Sequence, residues 1–315
     1  MTELVYPGPG PALLRAYLLS AFPLLTPGGV ARGIKGKAVR VNGQRAQYNQ
    51  KLAPGDRVQL YLPPALLEQG QGPAYLGARG SFAPVFEDGA LLIAQKPAGL
   101  LCQGEERDTL LARGQRYLYE KEGPAAADGL RLCHRLDAGT SGLLMMAKSE
   151  EAFQSVFAAM EARAVKKTYR CVVIGAPPAP AGKVEGYLTK NSGAGLVRPS
   201  EKPLNSASRF AKTRYRVLEQ RGGLSLLEVE LITGRTHQIR VHMAWIGCPI
   251  LGDGKYGDNR RNRAAGLKYQ ALCARELAFP FPPGHWPLLD GVAGRTFRGE
   301  EPWFEAALRS GALEG

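Results

Sequence analysis

Asp137 stands in the run His134-Arg135-Leu136-Asp137-Ala138-Gly139-Thr140-Ser141-Gly142-Leu143-Leu144, a Gly/Thr/Ser loop leading into an apolar strand. A carboxylate on a short loop held by a rigid strand can be presented at the mouth of a cleft. Arg135 precedes it by two residues, so in extended chain both side chains share one side. A second block reads Leu231-Ile232-Thr233-Gly234-Arg235-Thr236-His237-Gln238-Ile239-Arg240-Val241-His242. Gly234 permits a tight turn, and Arg235 at a strand–helix junction can approach a carboxylate. An opposite charge within reach favours the ionised acid, the form that acts as a nucleophile. A lone Asp is by default a loop cap; the company of Arg135, Thr140, Ser141 and the Arg235 block shifts Asp137 to chemistry.

Other chemistries fit less well. His237 and His242 are five residues apart, whereas two ligands on one helical face need a spacing of four, so no metal site is expected and His237 is read as bracing the turn. Neither Thr140 nor Ser141 lies in the Gly-x-Ser-x-Gly elbow of a hydrolase. The five cysteines are scattered without a Cys-x-x-Cys pair, which points to reduced thiols in the cytoplasm. No secretory leader and no membrane span is expected.

The positioning elements follow from pattern. Ala90–Ala94 and Gly142–Ala147 read as apolar strands, and Lys167–Ile174 and Leu224–Ile232 as two more. Ser149 is expected to cap a helix that buries Phe153, Val156, Phe157 and Met160. Thr236 is expected to cap a second helix with Ile239, Met243 and Ile246 on one face and Gly247 as its stop. Strands outnumber helices, so the expected class is α+β with a mainly antiparallel, curved mixed sheet.

In 315 residues, Lys and Arg number 41 against 28 Asp and Glu, a formal charge of +13. Residues 1–64 hold eight basic side chains (Arg15, Arg32, Lys35, Lys37, Arg40, Arg45, Lys51, Arg57) against Glu3 and Asp56. A field of that sign attracts polyanions. Lys166, Lys167, Arg209, Lys212, Arg214 and Arg216 are expected to contact phosphates, and Arg260-Arg261-Asn262-Arg263 to form a mobile basic loop. The expected organisation is a small basic α+β domain at 1–64, a Gly/Pro/Ala-rich linker at 65–84 and a catalytic domain at 85–315.

Within the first zone, Gly36-Lys37-Ala38-Val39-Arg40-Val41-Asn42-Gly43 and Pro54-Gly55-Asp56-Arg57-Val58 resemble the RNA-binding domain named after ribosomal protein S-four. The larger domain resembles the RluA-type pseudouridine synthases through four ordered blocks. These are Lys96-Pro97-Ala98-Gly99, then His134 to Lys148, then Lys166-Lys167-Thr168-Tyr169, then Thr233 to Gly257. The resemblance implies an enzyme that isomerises uridine in RNA without metal or organic cofactor. It implies Asp137 as the catalytic aspartate, Arg235 as its paired arginine and Tyr169 as the active-site tyrosine. Arg135 matches the residue that fills the gap left by the flipped base. His134, Thr140, Lys166, Lys167, His237 and Arg240 are expected on the substrate-binding side. Ribosomal RNA is the favoured substrate and transfer RNA the other. A monomer with no obligate protein partner is expected. The rival reading is a catalytically silent RNA-binding or ribosome-assembly factor on the same fold. Tyr169 shares a strand face with Cys171 and Val173, so core packing is its alternative role.

Overall fold

The computed structural model describes all residues except 23, 24, 26, 64–66, 68–72, 192–194, 314 and 315. The chain divides into two compact units, residues 1–82 with 103–128, and residues 83–102 with 129–315. The sequence did not signal that 103–128 joins the first unit, since this stretch lies inside the expected catalytic domain.

In the first unit, strands β1 (Thr2–Val5), β3 (Val39–Val41), β4 (Gln44–Arg45) and β6 (Arg57–Leu60) form a four-stranded sheet in the order β1-β6-β3-β4. β2 (Ala12–Leu13) pairs with β5 (Lys51–Leu52). The β3–β4 turn uses Asn42 at φ 51° and Gly43 at φ 78°, the paired positive angles that an Asn-Gly hairpin supplies. Helices α1 (Leu14–Ala21) and α2 (Pro27–Lys35) close the core over Leu14, Leu18, Val30, Val39, Val58 and Leu60. Helix α3 (Leu110–Glu122) is capped by Thr109 Oγ1, which accepts from the Ala112 amide at 3.1 Å, and α4 (Pro124–Gly129) follows. Residues 65, 66 and 68–72 of the expected linker lie outside the described residues. Its later part is ordered: Ala74–Gly77 forms a turn of 3-10 helix with Tyr75 buried, and Pro84 already opens a strand.

The second unit is built on a mixed sheet of 11 strands. These are β7 (Pro84–Glu87), β8 (Leu91–Lys96), β9 (Arg131–Leu132), β10 (Ser141–Ala147), β11 (Lys166–Ile174), β12 (Ala181–Asn191), β13 (Leu196–Ser200), β14 (Arg209–Arg221), β15 (Leu224–Leu231), β16 (Leu272–Ala278) and β17 (Thr296–Arg298). The order is β13-β12-β14-β15-β11-β16-β10-β8-β7, with β17 added to β16 and β9 to β10. Only the β10–β16 pair is parallel among the described residues. The α+β class with a mainly antiparallel mixed sheet is therefore correct. β8 and β10 are almost continuously apolar because both faces are covered.

Helix α5 (Glu150–Glu161) packs on β10, and Ser149 Oγ caps it by accepting from the Ala152 amide at 3.2 Å. Its buried stripe is Ala152, Val156 and Ala159, with Phe153 and Met160 partly covered. Phe157, expected in the core, is 50% exposed. At 3.6 residues per turn Phe157 lies roughly 130° round the helix from the centre of that stripe, which leaves it facing outward. Helix α6 (Gln238–Trp245) follows β15 and ends at Gly247 with φ 80°. There the Cys248 amide donates to Met243 O at 2.9 Å, satisfying a terminal carbonyl. The run expected as a mobile basic loop is instead helix α7 (Asn259–Ala264), because Asp258 Oδ1 caps it by accepting from the Arg260 and Arg261 amides. Helix α8 (Trp303–Ser310) covers Val172, Leu224 and Leu226 with Phe304 and Leu308.

Candidate active site

The Asp137 loop is pinned from several sides. The Thr140 amide donates to Asp137 O at 3.0 Å, closing the turn. Cys102 Sγ and the Leu136 backbone exchange contacts at 3.2 Å. Lys96, fully buried at the end of β8, donates from Nζ to Pro97 O (2.9 Å), Leu100 O (2.7 Å) and Ala138 O (3.0 Å). Burial pushes the Lys96 ammonium down to about 8, against the opposing influence of Cys102 and Asp137. Gln270 Nε2 donates to Thr140 Oγ1 at 3.0 Å. Thr140 is 2% exposed and this bond braces the loop, while the residue still lines the cavity described below. His134 helps hold the loop: its Nε2 accepts from the Met145 amide at 3.2 Å. Burial, and then the Lys167 charge, push its pKa down to about 3. A neutral imidazole thus ties the loop to β10, and His134 also lines the cavity described below.

The guanidinium beside Asp137 is that of Arg240, not Arg235. Arg240 Nη1 donates to Asp137 Oδ2 at 2.8 Å. The rest of the fork is taken by Asp253, with Nε to Oδ2 at 2.7 Å and Nη2 to Oδ1 at 2.8 Å. Burial opposes the Arg240 charge, but the hydrogen bonds and charge of Asp253, then of Asp137, outweigh it and raise its pKa. Asp253 has no exposed surface. Burial works against its ionisation too, yet Arg240 and the Lys255 and Tyr256 amides hold its carboxyl below the usual range. Asn262, from α7, holds the Asp253 loop by accepting from the Gly252 amide (2.7 Å) and donating to Asp253 O (3.0 Å).

The arginine assignment failed on geometry. Arg235 lies on the exposed loop after β15, and its Nε donates to Phe210 O at 3.1 Å. Arg240 is in the first turn of α6, on the buried face. Thr236 does not cap that helix. His237 occupies the position in the left-handed region at φ 54°, and Gln238 secures the junction. Gln238 Oε1 accepts from Thr233 Oγ1 (2.8 Å) and the Arg235 amide (3.0 Å). Its Nε2 donates to Lys212 O and Thr213 Oγ1.

These elements enclose a cavity of about 770 Å³. Asp137 sits on its wall with the side chain 23% exposed. Arg135, Lys166, Lys167, Tyr169, Arg235 and His237 also line it, so both sequence blocks converge on one space. Tyr169 is 5% exposed, and burial, followed by the Asp137 charge, raises its pKa, so the phenol is neutral. Lys166 is exposed, whereas Lys167 is half-buried and its pKa is lowered by burial. Of the remaining basic residues expected on phosphates, Lys212 pairs with Glu185 (3.0 Å), Arg214 with Glu230 (3.3 Å) and Arg216 with Glu228 (2.9 Å). Asp253, Tyr256, Gln238 and Gln270 were not assigned roles from sequence. The signal for the first two was their place in the Gly252-Asp253 and Tyr256-Gly257 blocks. Among the described residues, no group of His, Cys, Asp and Glu could hold a metal ion, and no helix is long and apolar enough to cross a membrane.

Asp137, held by a buried arginine, thus faces a cavity that several basic side chains also line, and sequence comparison places the chain in a family. Residues 90–245 match the family described as RNA pseudouridylate synthase. The chain is 33% identical to ribosomal large subunit pseudouridine synthase C of Rickettsia conorii, covering 78% of this chain and 82% of that protein. It is 36% identical to an uncharacterized RNA pseudouridine synthase of Chloroflexus aurantiacus, covering 86% and 83%. The solved structure of human RNA pseudouridylate synthase domain containing 4 superposes with a TM-score of 0.58 at 25% identity, covering 73% of this chain and 92% of that one. The chain belongs to the RNA pseudouridine synthase family and is an enzyme that forms pseudouridine in RNA.

Proposed function

We propose that Asp137 is the carboxylate that reacts with the flipped uridine. Asp137 on the cavity wall, tied through Arg240 to the buried Asp253, carries this reading. Pseudouridine formation breaks the bond between uracil N1 and ribose C1′, turns the base and joins C1′ to C5; C5 gives up a proton and N1 takes one up. No electrons are gained or lost. The step needs an anion to meet the electrophilic centre, covalently or electrostatically. Arg240 occupies Oδ2, so Oδ1 is the oxygen available to substrate. The double hold of Asp253 on Arg240 fixes the direction of the guanidinium and hence of Asp137.

The target uridine must leave its stack to enter the cavity, which costs a few kcal/mol. Arg135, exposed at the cavity, is suited to fill the vacancy and offset part of that cost. The neutral Tyr169 ring favours stacking on the uracil over service as a resting base. Exposed Lys166 and Arg163 and the half-exposed Phe157 line the same cavity and fit phosphates and an unstacked base.

The substrate is proposed to be ribosomal RNA of the large subunit, a reading supported by the names of the relatives. The first unit is proposed as an S-four-like RNA-binding domain. Its exposed Arg32, Lys35, Lys37 and Arg45 support this, as does Arg40 stacked over Tyr61 at 5.5 Å. The test is to incubate the protein with uridine-labelled ribosomal and transfer RNA and assay pseudouridine. Product in ribosomal RNA that disappears with Asp137→Asn supports the reading. Undiminished product with Asp137→Asn overturns the nucleophile, and product in transfer RNA alone overturns the substrate.

A further inference from the structure

Tyr256 Oη accepts a hydrogen bond from the Val197 amide at 2.8 Å and lies 2.8 Å from His237 Nδ1. A phenol has one proton to give. Val197 N–H can only donate, so the arrangement that uses the Tyr256 proton gives it to His237 Nδ1, its remaining partner among the described residues. A neutral imidazole that accepts at Nδ1 carries its proton on Nε2. Burial, the largest influence on His237, favours that neutral form. The Asp137 charge opposes burial, and the Arg240 and Lys255 charges act with it.

The other end of the ring faces the reacting carboxylate. His237 Nε2 is 3.8 Å from Asp137 Oδ1, beyond hydrogen-bond reach, and the residue lines the cavity. An N–H aimed at this space without an acceptor at bonding distance is suited to an oxygen of an incoming ligand. The backbone reinforces the aim. His237 sits at φ 54°, a conformation unfavourable for a residue with a side chain, and is held there by the Gln238 clamp at the head of α6. Tyr256 is itself fixed. Its amide donates to Asp253 Oδ1 at 3.1 Å, and the Arg240 guanidinium stands over its ring at 5.3 Å.

We propose that His237 donates a hydrogen bond from Nε2 to a uracil or ribose oxygen of the nucleotide bound at Asp137, and that Tyr256 is the positioning residue that sets this tautomer. The inference rests on Asp137 being the reacting carboxylate. A neutral donor here holds the base or sugar without adding a second cation that would compete with Arg240 for Asp137.

The test combines spectroscopy with kinetics. In protein labelled with 15N-histidine, the His237 resonances are assigned by their loss in His237→Gln. The wild type is expected to show the Nε2–H tautomer, and Tyr256→Phe a shift towards a mixture. On an RNA substrate, His237→Ala is expected to lose about tenfold or more in turnover, the worth of one directed hydrogen bond. His237→Gln, whose amide nitrogen can take the place of Nε2, is expected to recover most of it. Tyr256→Phe is expected to slow the wild type and to have little further effect on His237→Gln. An Nδ1–H tautomer in the wild type, or full turnover by folded His237→Ala, overturns the proposal. If the wild type forms no pseudouridine, the functional reading fails, while the spectrum still reports on the tautomer.

Discussion

Arg240 Nη1 meets Asp137 Oδ2 at 2.8 Å across 103 residues of chain, while the rest of its fork grips the fully buried Asp253. One guanidinium thus serves two carboxylates, one facing the cavity and one sealed beneath it. Removing Arg240 leaves Asp253 as an uncompensated buried charge. Arg240→Ala is expected to lower stability by about 3–5 kcal/mol and to abolish measurable turnover. Arg240→Lys keeps the charge but loses the fork and is expected to fall between. Arg235→Gln is expected to keep single-turnover chemistry within a few-fold and to weaken RNA binding. Melting curves and single-turnover assays check all three, and equal loss of chemistry in Arg235→Gln and Arg240→Ala would refute the assignment.

Asp253→Asn preserves volume while removing the charge that orients Arg240. Turnover is expected to drop by about tenfold or more, with a lower melting temperature from the damaged buried pair. In a double-mutant cycle, Asp253→Asn and Arg240→Lys should show a non-additive effect on turnover, because both act through one guanidinium. Strict additivity would mean that Asp253 acts elsewhere.

Acid sensitivity follows from two imidazoles, the half-buried His134 and the buried His242. His134 is pushed down to about 3 and His242 to about 4, both mainly by burial, from an ordinary value of 6.5. Between the folded and unfolded values the unfolded chain binds more protons, so stability falls as pH drops below 6.5. The loss is complete near pH 3 for His134 and near pH 4 for His242. Denaturant titrations from pH 7 to 4 should show a progressive decline to which His134 contributes. His134→Gln, which offers an oxygen to the Met145 amide, is expected to flatten that curve. An unchanged slope in His134→Gln would remove His134 from this account.

Gly142 lies where β10 runs parallel to β16, directly after the Asp137 loop. Its φ is 114°, and an added Cβ would stand 2.3 Å from Ala274 O. Backbone cannot yield as a flexible side chain does, so Gly142→Ala is expected to cost roughly 1–3 kcal/mol or more. Displacement of the neighbouring loop should also reduce turnover. A melting temperature equal to that of the wild type would show that the strands can separate at this point.

RNA affinity should fall steeply with salt, because each phosphate contact releases counterions. Lys166→Ala is expected to reduce the slope of log affinity against log salt by about one and to weaken different RNA sequences to a similar extent. Filter-binding assays between low and moderate salt measure this. An unchanged slope would place Lys166 off the RNA path.

The four sequence blocks determined the enzyme class, and the apolar runs placed the main strands within a few residues, since burial on both faces leaves an uninterrupted hydrophobic signature. Asp137 was legible because a carboxylate in a Gly/Thr/Ser loop before an apolar strand stands out locally. Its arginine was not. Arg235 and Arg240 are both near the β15–α6 junction, and only the left-handed turn at His237 and the rotation of α6 decide which one reaches inward. The same limit explains Phe157, whose exposure depends on which face of α5 is turned to the sheet, and Asp253, whose role exists only once Arg240 is buried against it. Residue types and spacing record which groups are available. Which of them meet is set by rotation about helix axes and by chain reversals, small in sequence terms and worth a full side-chain length in space.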